Sequence, residues 1–261
     1  MTSLAKLHSR LMLLSLLLLL ATPFVMLLSG FILLGRDWRT ADRSSSGIAP
    51  DPEITHEALV QVYAARALNW RGIFGVHTWI ATKTENAPQY TVHQVMGWRL
   101  WRNLPAVASR PDIPDRYWFG NMPEVIAELR GAEASAAIPK VVAAVNSYPY
   151  AQQYRLWPGP NSNTFTAHLA RHVPELEVQL PVTAMGKDYP TNGGFLDRAP
   201  SGTGYQLSIY GLLGMIVAWQ EGVELNLLGF SFGLDLNRPA LKLPFLGRLG
   251  FKEAGSEKPE N

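Results

Sequence analysis

The chain of 261 residues contains no cysteine. This absence excludes disulfide bonds, thiolate metal sites and a cysteine nucleophile. A chain without cysteine is compatible with both the cytoplasm and the periplasm, so the absence does not assign a compartment.

The sequence also has little net charge. Its 23 Lys and Arg residues against 21 Asp and Glu residues give a net charge of +2. The basic residues are scattered, whereas nucleic-acid binding needs them clustered on one stripe. We therefore expect no nucleic-acid partner.

The length suits one globular domain of roughly 150–200 residues with appendages.

What the sequence does contain is a long apolar run near its start. Residues 11–34 include 24 positions without a charge, and about 20 apolar residues cross a bilayer as a helix. The alternative, a cleaved signal peptide, has a shorter run with small residues at its end. The nearest such site, at Ala21, lies inside the run. The run therefore predicts a single uncleaved transmembrane anchor.

The charges that flank this run leave its orientation nearly balanced. Lys6 and Arg10 precede it, and Arg36, Arg39 and Arg43 follow it, so the positive-inside bias is weak. A short N-terminal stub before a large domain is typical of a signal anchor. We therefore expect an inner-membrane protein whose globular domain lies in the periplasm.

Composition shifts divide the chain into four parts. We expect the anchor over residues 1–35, a Ser-, Pro- and Asp-rich linker over 36–57, a globular domain over 58–250 and a disordered tail over 251–261.

The first half of the expected domain has the pattern of a β-hairpin followed by helices. Residues 72–83 and 90–101 are rich in β-branched and aromatic residues, with turn residues between them. Residues 58–71 could form a helix or a strand. Residues 122–131 and 134–148 have helical patterns with Pro near the start.

The second half has one more helical pattern and then short apolar segments. Residues 164–173 predict a helix that Pro174 ends. Residues 204–219 and 222–236 alternate like strands, with a hairpin candidate at Glu221 and Gly222. The predicted fold class is α+β, with one antiparallel sheet on which helices pack.

Three residues could carry chemistry. His77 and His93 lie in the two strands of the first predicted hairpin, and Ser162 lies where "WPGPN" leads into a helix. Amides at a helix start stabilise a developing anion. A strand histidine could take the proton of the serine, and a second histidine could orient the first. Ser162, His77 and His93 are therefore the candidate catalytic residues.

A structural interpretation of the same residues stays open. Asn and Ser are favoured helix caps, so Asn161 or Ser162 could do no more than satisfy the first-turn amides. A histidine within an apolar strand is more often a hydrogen-bonded structural residue. His168 and His172 have a spacing that can bind zinc, but no third ligand or HExxH glutamate accompanies them. We predict no metal and no cofactor.

Other polar and aromatic residues are candidates for substrate contact. Asn161 and Asn163 flank the serine, and Trp157 precedes it. Trp98 lies at a predicted strand end, and Lys187 lies in a loop that could line a cleft.

Long motifs in this sequence closely resemble the bacterial DUF3750 family. They are "GVHTWIATK", "WPGPNSNTF", "PVTAMGKDYP", "PSGTGYQLS" and "ELNLLGFSFGLD", and the resemblance covers roughly residues 60–250. The family is of unknown function, so the resemblance implies no activity.

A second, distant resemblance is to the circularly permuted papain-like group, which includes NlpC/P60-type hydrolases and lecithin-retinol acyltransferase relatives. In that group a helix opens with Asn and Cys, where "NSNTF" here has Ser162. The resemblance implies His77 as the base and His93 as its orienter. Serine in place of cysteine is a departure, because a hydroxyl is a much weaker nucleophile than a thiolate.

These observations predict two classes of function. The first is a membrane-anchored serine hydrolase or acyl or peptidyl transferase that acts on peptide, peptidoglycan or lipid-linked substrates. The alternative is a non-catalytic envelope module that binds such a ligand or serves as a structural partner. The distance between His77 and Ser162 discriminates between them.

Overall fold

The computed structural model describes residues 10, 13, 21–28, 30, 32 and 34–251. Residues 21–28 are helical. Most of the predicted anchor, and the predicted tail from residue 252 onward, lie outside the described residues. Within the described part of the chain, no helix is both long and apolar enough to cross a membrane.

The fold class is α+β, as predicted, with antiparallel strands and packed helices, but it has two sheets where one was expected. The first sheet has the strand order β4-β3-β2-β1-β5. Its strands are β1 (Leu59–Arg66), β2 (Val76–Lys83), β3 (Thr91–Val95), β4 (Val107–Pro111) and β5 (Glu124–Arg130). The helices are α1 (Arg71–Phe74), α2 (Gly131–Ser147) and α3 (Ser162–His172), with 3₁₀ turns at Gly97–Arg102 and Pro174–Leu176.

Helices and aromatic residues cover opposite faces of the first sheet. Val62 of β1 and Ile80 of β2 pack with Phe165 of α3 in one apolar cluster. Trp79 of β2 lies in a second cluster with Trp118 on the other face. Side chains alternate between the two faces of a strand, so the helices bury one face of β1 and β2 and the aromatic residues bury the other. This burial on both faces agrees with the position of β1 and β2 inside the sheet.

Two predictions for this half of the chain are wrong. Residues 122–131 were expected to form a helix, but they form strand β5, which pairs with β1. This edge pairing overrides the helix-forming residues of the segment. Gly131 has a φ of +57°, so the chain turns from β5 directly into α2. The expected strand 90–101 ends at Val95, and Trp98 and Trp101 lie in a 3₁₀ turn.

The segment between the apolar run and β1 contacts the loop that precedes β5. Ser45 forms a bridge with Arg116. The buried Asp115 carboxylate accepts hydrogen bonds from Ser45 Oγ at 2.8 Å and from the Ile48 amide at 2.8 Å. These bonds fix residues 45–48 to the aromatic face of the first sheet.

The second sheet is a meander of seven antiparallel strands that pair in sequence order. They are β6 (Leu196–Arg198), β7 (Gly204–Ile209), β8 (Leu213–Ala218), β9 (Gly222–Leu227), β10 (Phe230–Asp235), β11 (Ala240–Leu243) and β12 (Gly247–Gly250). The predicted hairpin at Glu221 and Gly222 is present, because Ala218 pairs with Gly222.

The two faces of the second sheet are reversed relative to an ordinary amphipathic sheet. Its inward face is largely polar, and its outward face is apolar. The buried polar positions are Gln206, Ser208, Glu224, Asn226, Ser231, Asp235 and Lys242. The exposed apolar positions include Tyr205, Leu207, Met215, Val217, Val223, Leu225, Leu234 and Leu241. The strand alternation was predictable, but the choice of buried face was not.

A buried ion cluster attaches the second sheet to the rest of the protein. Lys187 Nζ lies 2.9 Å from Asp188 Oδ1 and 2.7 Å from Glu224 Oε2 on β9. Lys242 Nζ on β11 lies 2.8 Å from the other oxygen of Glu224. Burial alone would lower the pKa of Lys187, but the two carboxylates raise it above its usual value. Two cations thus face two carboxylates.

Removal of one cation from this cluster tests its role. We expect Lys187→Met to reduce the free energy of unfolding by about 3–5 kcal/mol, because a buried carboxylate then lacks a counter-ion. Lys140→Met breaks a more exposed pair with Glu175 and should cost less than about 1 kcal/mol. Urea unfolding of the full chain in detergent measures both. An equal loss of unfolding free energy in the two variants would contradict the stabilising role of the buried ion cluster.

Candidate functional site

Asn161 is the residue that caps helix α3. Its Oδ1 accepts hydrogen bonds from the amides of Asn163 at 2.9 Å and Thr164 at 3.2 Å. The Thr164 hydroxyl in turn accepts from the Asn161 amide at 3.1 Å, which completes a capping box. Two of the first-turn amides, those of Asn163 and Thr164, are therefore already paired.

Ser162 is the first residue of the helix and does not cap it. Its side chain is 4% exposed and has no hydrogen-bond partner among the described residues. Of the two cap candidates, the structure assigns the role to Asn161.

The side chains around Ser162 bind the start of the neighbouring segment 185–188. Asn161 Nδ2 and Asn163 Nδ2 donate to the Met185 carbonyl at 3.0 and 2.8 Å. Thr164 Oγ1 donates to the Gly186 carbonyl at 2.7 Å. Gly186 has a φ of +93°, and a Cβ there would lie 2.3 Å from Asn161 Nδ2, so glycine is required.

The same helix start is bonded to the first sheet. Asn163 Nδ2 donates to the Val76 carbonyl at 3.0 Å, and Thr78 Oγ1 donates to Asn163 Oδ1 at 2.9 Å. Asn161 and Asn163, which we expected to contact a substrate, thus have their amide groups occupied by contacts within the protein.

His77 lies on the face of the first sheet opposite α3. Its neighbour Thr78 points to α3, so His77 points to the aromatic cluster. Its ring stacks on Trp118 with centroids 3.6 Å apart, and its Nε2 lies 3.3 Å from Gln94 Oε1. Burial lowers the pKa of His77 to about 3, against a smaller opposing effect of the Gln94 hydrogen bond.

His93 lies on the α3 face, away from Ser162. Its Nε2 lies 3.0 Å from Thr82 Oγ1, and its Nδ1 lies 2.6 Å from Ser109 Oγ. His93 pairs with Ile80 of β2, whereas Asn163, next to Ser162, binds the Val76 carbonyl of the same strand. Residues 76 and 80 are about 13 Å apart along β2 at the usual rise of a strand. Burial lowers its pKa to about 4.

The register of the hairpin explains why the two histidines separate. His93 pairs with Ile80, so both side chains point to one face. Ile80 is three residues from His77, and an odd spacing places side chains on opposite faces. His77 and His93 therefore lie on opposite faces, and the structure does not bring the three candidate catalytic residues together.

The remaining candidates for substrate contact have structural partners. Trp157 is half-exposed, and its indole N–H donates to the Leu228 carbonyl of the β9–β10 turn at 2.9 Å. Trp98 stacks on Trp118 with centroids 5.9 Å apart. Lys187 is buried in the ion cluster, so it does not line an open cleft.

His168 and His172 contact each other on α3, with ring centroids 4.2 Å apart. His168 also lies 3.3 Å from both Ser147 Oγ and Thr191 Oγ1. In the described ranges no group of three His, Cys, Asp or Glu side chains could hold a metal ion.

A cleft of about 730 Å³ lies at the other end of α3. Its lining comes from β5, α2, the residues after α3 and the turns of the second sheet. Carboxylates of Glu128, Glu133, Glu175 and Glu177 are part of that lining, and Ser162 is not.

The sequence reasoning missed Asp188. Its side chain accepts hydrogen bonds from Asn226 at 2.6 Å and Ser231 at 3.0 Å, and its carbonyl accepts from Gln206 and Ser208. It thereby binds strands β7, β9 and β10 together. The available signal was the adjacent Lys-Asp pair followed by polar residues at every second position of the later strands.

The fold and this site define an α+β protein in which the start of α3 connects two sheets. The chain matches the family described as "Protein of unknown function (DUF3750)" over residues 57–189, about half of its length, and it belongs to that family. The match ends before the motifs at 200–208 and 224–235, and the extent of the domain to residue 250 stays a prediction. Neither the curated proteins nor the solved structures give a match. The resemblance to the permuted papain-like group is not confirmed.

Substitutions at adjacent residues distinguish a structural role from a catalytic one. We expect Asn161→Ala to lower the free energy of unfolding by about 1 kcal/mol for the lost cap, and by about 1–3 kcal/mol more for buried groups left unpaired. Ser162→Ala should change it by no more than about 0.5 kcal/mol, because no hydrogen bond is lost. Urea unfolding of both variants checks this, and a larger effect of Ser162→Ala would contradict it.

The buried histidines predict acid sensitivity. The pKa of His93 is lower in the folded chain than the unfolded value of about 6.5, so below that pH the unfolded chain binds more protons. Stability is present above pH ~6.5 and falls as the pH approaches the folded value. Between about pH 7 and about pH 5, the titration of His93 should lower the free energy of unfolding by about 2 kcal/mol.

His93→Gln should reduce this pH dependence by that amount, whatever its effect on stability at neutral pH. His56 is exposed, and His56→Gln is the matched control. Unfolding midpoints across the pH range give the slopes. Identical slopes for the wild type and His93→Gln would contradict the prediction.

Proposed function

We propose that this protein is a membrane-anchored, non-catalytic module of the bacterial cell envelope, with the start of α3 as a structural connection rather than an active site. The apolar run holds it in the inner membrane, and the folded domain lies in the periplasm. Of the two classes of function that the sequence predicts, this proposal takes the non-catalytic module that binds a ligand or serves as a structural partner.

The observation that carries the proposal is the separation of Ser162 from both strand histidines. A serine nucleophile needs a base within hydrogen-bond reach, about 3 Å. His77 lies beyond the sheet from α3, and Ser109 and Thr82 occupy the nitrogens of His93. The carboxamide oxygen of Asn161 occupies two first-turn amides. Neither strand histidine is thus placed to act as a base for Ser162, and two of the amides that could stabilise an oxyanion are occupied by the cap.

The anchor is supported by the apolar run and by where that run contacts the domain. Met26 and Ile32 are buried against Ile73 and Phe245. The folded domain thus begins directly at the end of the run, with no free spacer. A domain so close to the bilayer suits a ligand or partner in the envelope.

Two surfaces are suited to ligand binding. The cleft of about 730 Å³ is lined by five acidic side chains and by Lys140 and Arg238, so its excess of carboxylates suits a cationic portion of a peptide. The exposed Trp101 and the partly exposed Trp98 lie together on one 3₁₀ turn and suit contact with a glycan or lipid. Trp157 is less suited, because its N–H is already paired.

One observation favours the competing serine hydrolase. The hydroxyl of Ser162 is unpaired among the described residues and lies at a helix start, where a nucleophile would gain from the helix dipole. The following experiment separates the two functions.

A fluorophosphonate probe tests the absence of catalysis. The full chain in native membranes is treated with the probe, and Ser162 is examined for an adduct by mass spectrometry, beside a known serine hydrolase as a positive control. We expect no adduct in the wild type, because no base activates the hydroxyl. An adduct at Ser162 that is lost in Ser162→Ala would overturn the non-catalytic proposal and establish the hydrolase.

A further inference from the structure

The outward face of the second sheet is a continuous apolar surface. Strand pairing aligns its side chains in rows that cross the sheet. One row runs through Tyr205, Val217, Val223, Leu234, Leu241 and Leu249. A second runs from Leu196 through Leu207, Met215 and Leu225 to Phe232. Every one of these residues is apolar or aromatic, and the first row ends in the exposed Arg198, which pairs with Tyr205 at the edge strand β6.

This surface is as large as the largest apolar patches of typical monomeric proteins. Seven strands at a spacing of about 4.8 Å and strands of up to six residues give roughly 30 by 20 Å, or about 600 Å². Tyr205 is 65% exposed and Leu225 is 49% exposed. Contiguous apolar patches of this size mark sites of contact with a protein or a membrane.

The N-terminal apolar run reaches the edge of this surface. A third row ends at Phe230, which packs on Phe74 and Phe245 with ring centroids 6.4 and 5.4 Å apart. Met26 and Ile32 of the run lie in that same cluster. A bilayer that holds the run is therefore next to the outward face.

A rim of tryptophan and arginine residues continues from this cluster. Trp70 packs edge-on against Phe74, with centroids 6.1 Å apart, and the guanidinium of Arg71 lies 5.0 Å from its ring. Trp38 and Arg39 form a similar pair at 5.3 Å. Both tryptophans are half-exposed. Tryptophan is enriched at the head-group level of membranes, and arginine attracts anionic lipid heads.

We propose that the outward face of the second sheet lies against the bilayer that holds the N-terminal run, with the apolar rows on the acyl chains and the tryptophan–arginine rim among the head groups. The partner is thus lipid. This inference rests on the membrane anchor of the proposed function and adds a second, monotopic contact with the same membrane. It also accounts for the reversed sheet, because the charged side chains of β9 and β11 are kept on the inward face.

The absence of native cysteine makes a site-specific test possible. Leu225→Cys places a single thiol near the centre of the face, and Met215→Cys is a second position in the same row. Ala143→Cys, on the exposed surface of α2, is the matched control, since the anchor alone brings it equally near to the vesicle. Each full-length variant carries an environment-sensitive fluorophore in vesicles of phosphatidylcholine and phosphatidylglycerol in equal parts.

Nitroxide groups on the acyl chains of the lipid then quench any fluorophore that enters the apolar layer. We expect the probes at residues 225 and 215 to shift to shorter wavelength and to lose most of their fluorescence. The probe at residue 143 should keep its fluorescence.

Three results would overturn the proposal. Equal quenching at residues 225 and 143, in protein that floats with the vesicles, refutes the placement of the face but leaves the anchor intact. Disulfide cross-linking between two unlabelled Leu225→Cys chains, with no lipid quenching of the labelled protein, identifies a second copy as the occupant. Protein that does not float with the vesicles refutes the anchor itself, and with it both proposals.

Discussion

The architecture depends on one short segment, residues 185–188, which binds α3 on one side and the second sheet on the other. The carbonyls of Met185 and Gly186 accept the side chains that follow the cap of α3. Lys187 and Asp188 face the polar side of β9 and β10. Because these groups are buried, each unmade bond would cost more than a solvent-exposed one. Polar contacts through this segment therefore join the two sheets, beside a small apolar cluster in which Phe74 packs on Phe230 and Phe245.

Much of the local structure could be predicted from the sequence. Pro158 and Pro160 exclude a helix before Ser162, and Asn161 is a favoured cap, so the start of α3 was predictable. The alternation of residues 204–236 predicted strands. Residues 122–131 misled the prediction, because pairing of Val125 with Tyr63 on β1 is a tertiary contact that helix-forming residues in the segment do not reveal.

The candidate site was less predictable, because it depended on register and on the choice of face. The residues of the expected triad are present, but Thr78 faces α3, so its neighbour His77 points away from α3, and the pairing of His93 with Ile80 puts His93 on the other face. A register shift of one residue would have put both histidines on one face, away from Ser162. For the second sheet, alternation shows which residues share a face but not which face is buried. Burial was decided by Asp188 and Lys187, which lie outside the sheet.

The polar attachment has a mechanical consequence. Apolar surfaces can slide past each other at little cost, whereas hydrogen bonds weaken steeply away from straight geometry. Asp188 contacts β7, β9 and β10 at once, and Lys187 adds Glu224 on β9. Several directional bonds to three strands fix the tilt of the sheet as well as its position. The angle of the second sheet to α3 is thus set in large part by bond directions, beside the packing of Phe230 and Phe245 in their apolar cluster.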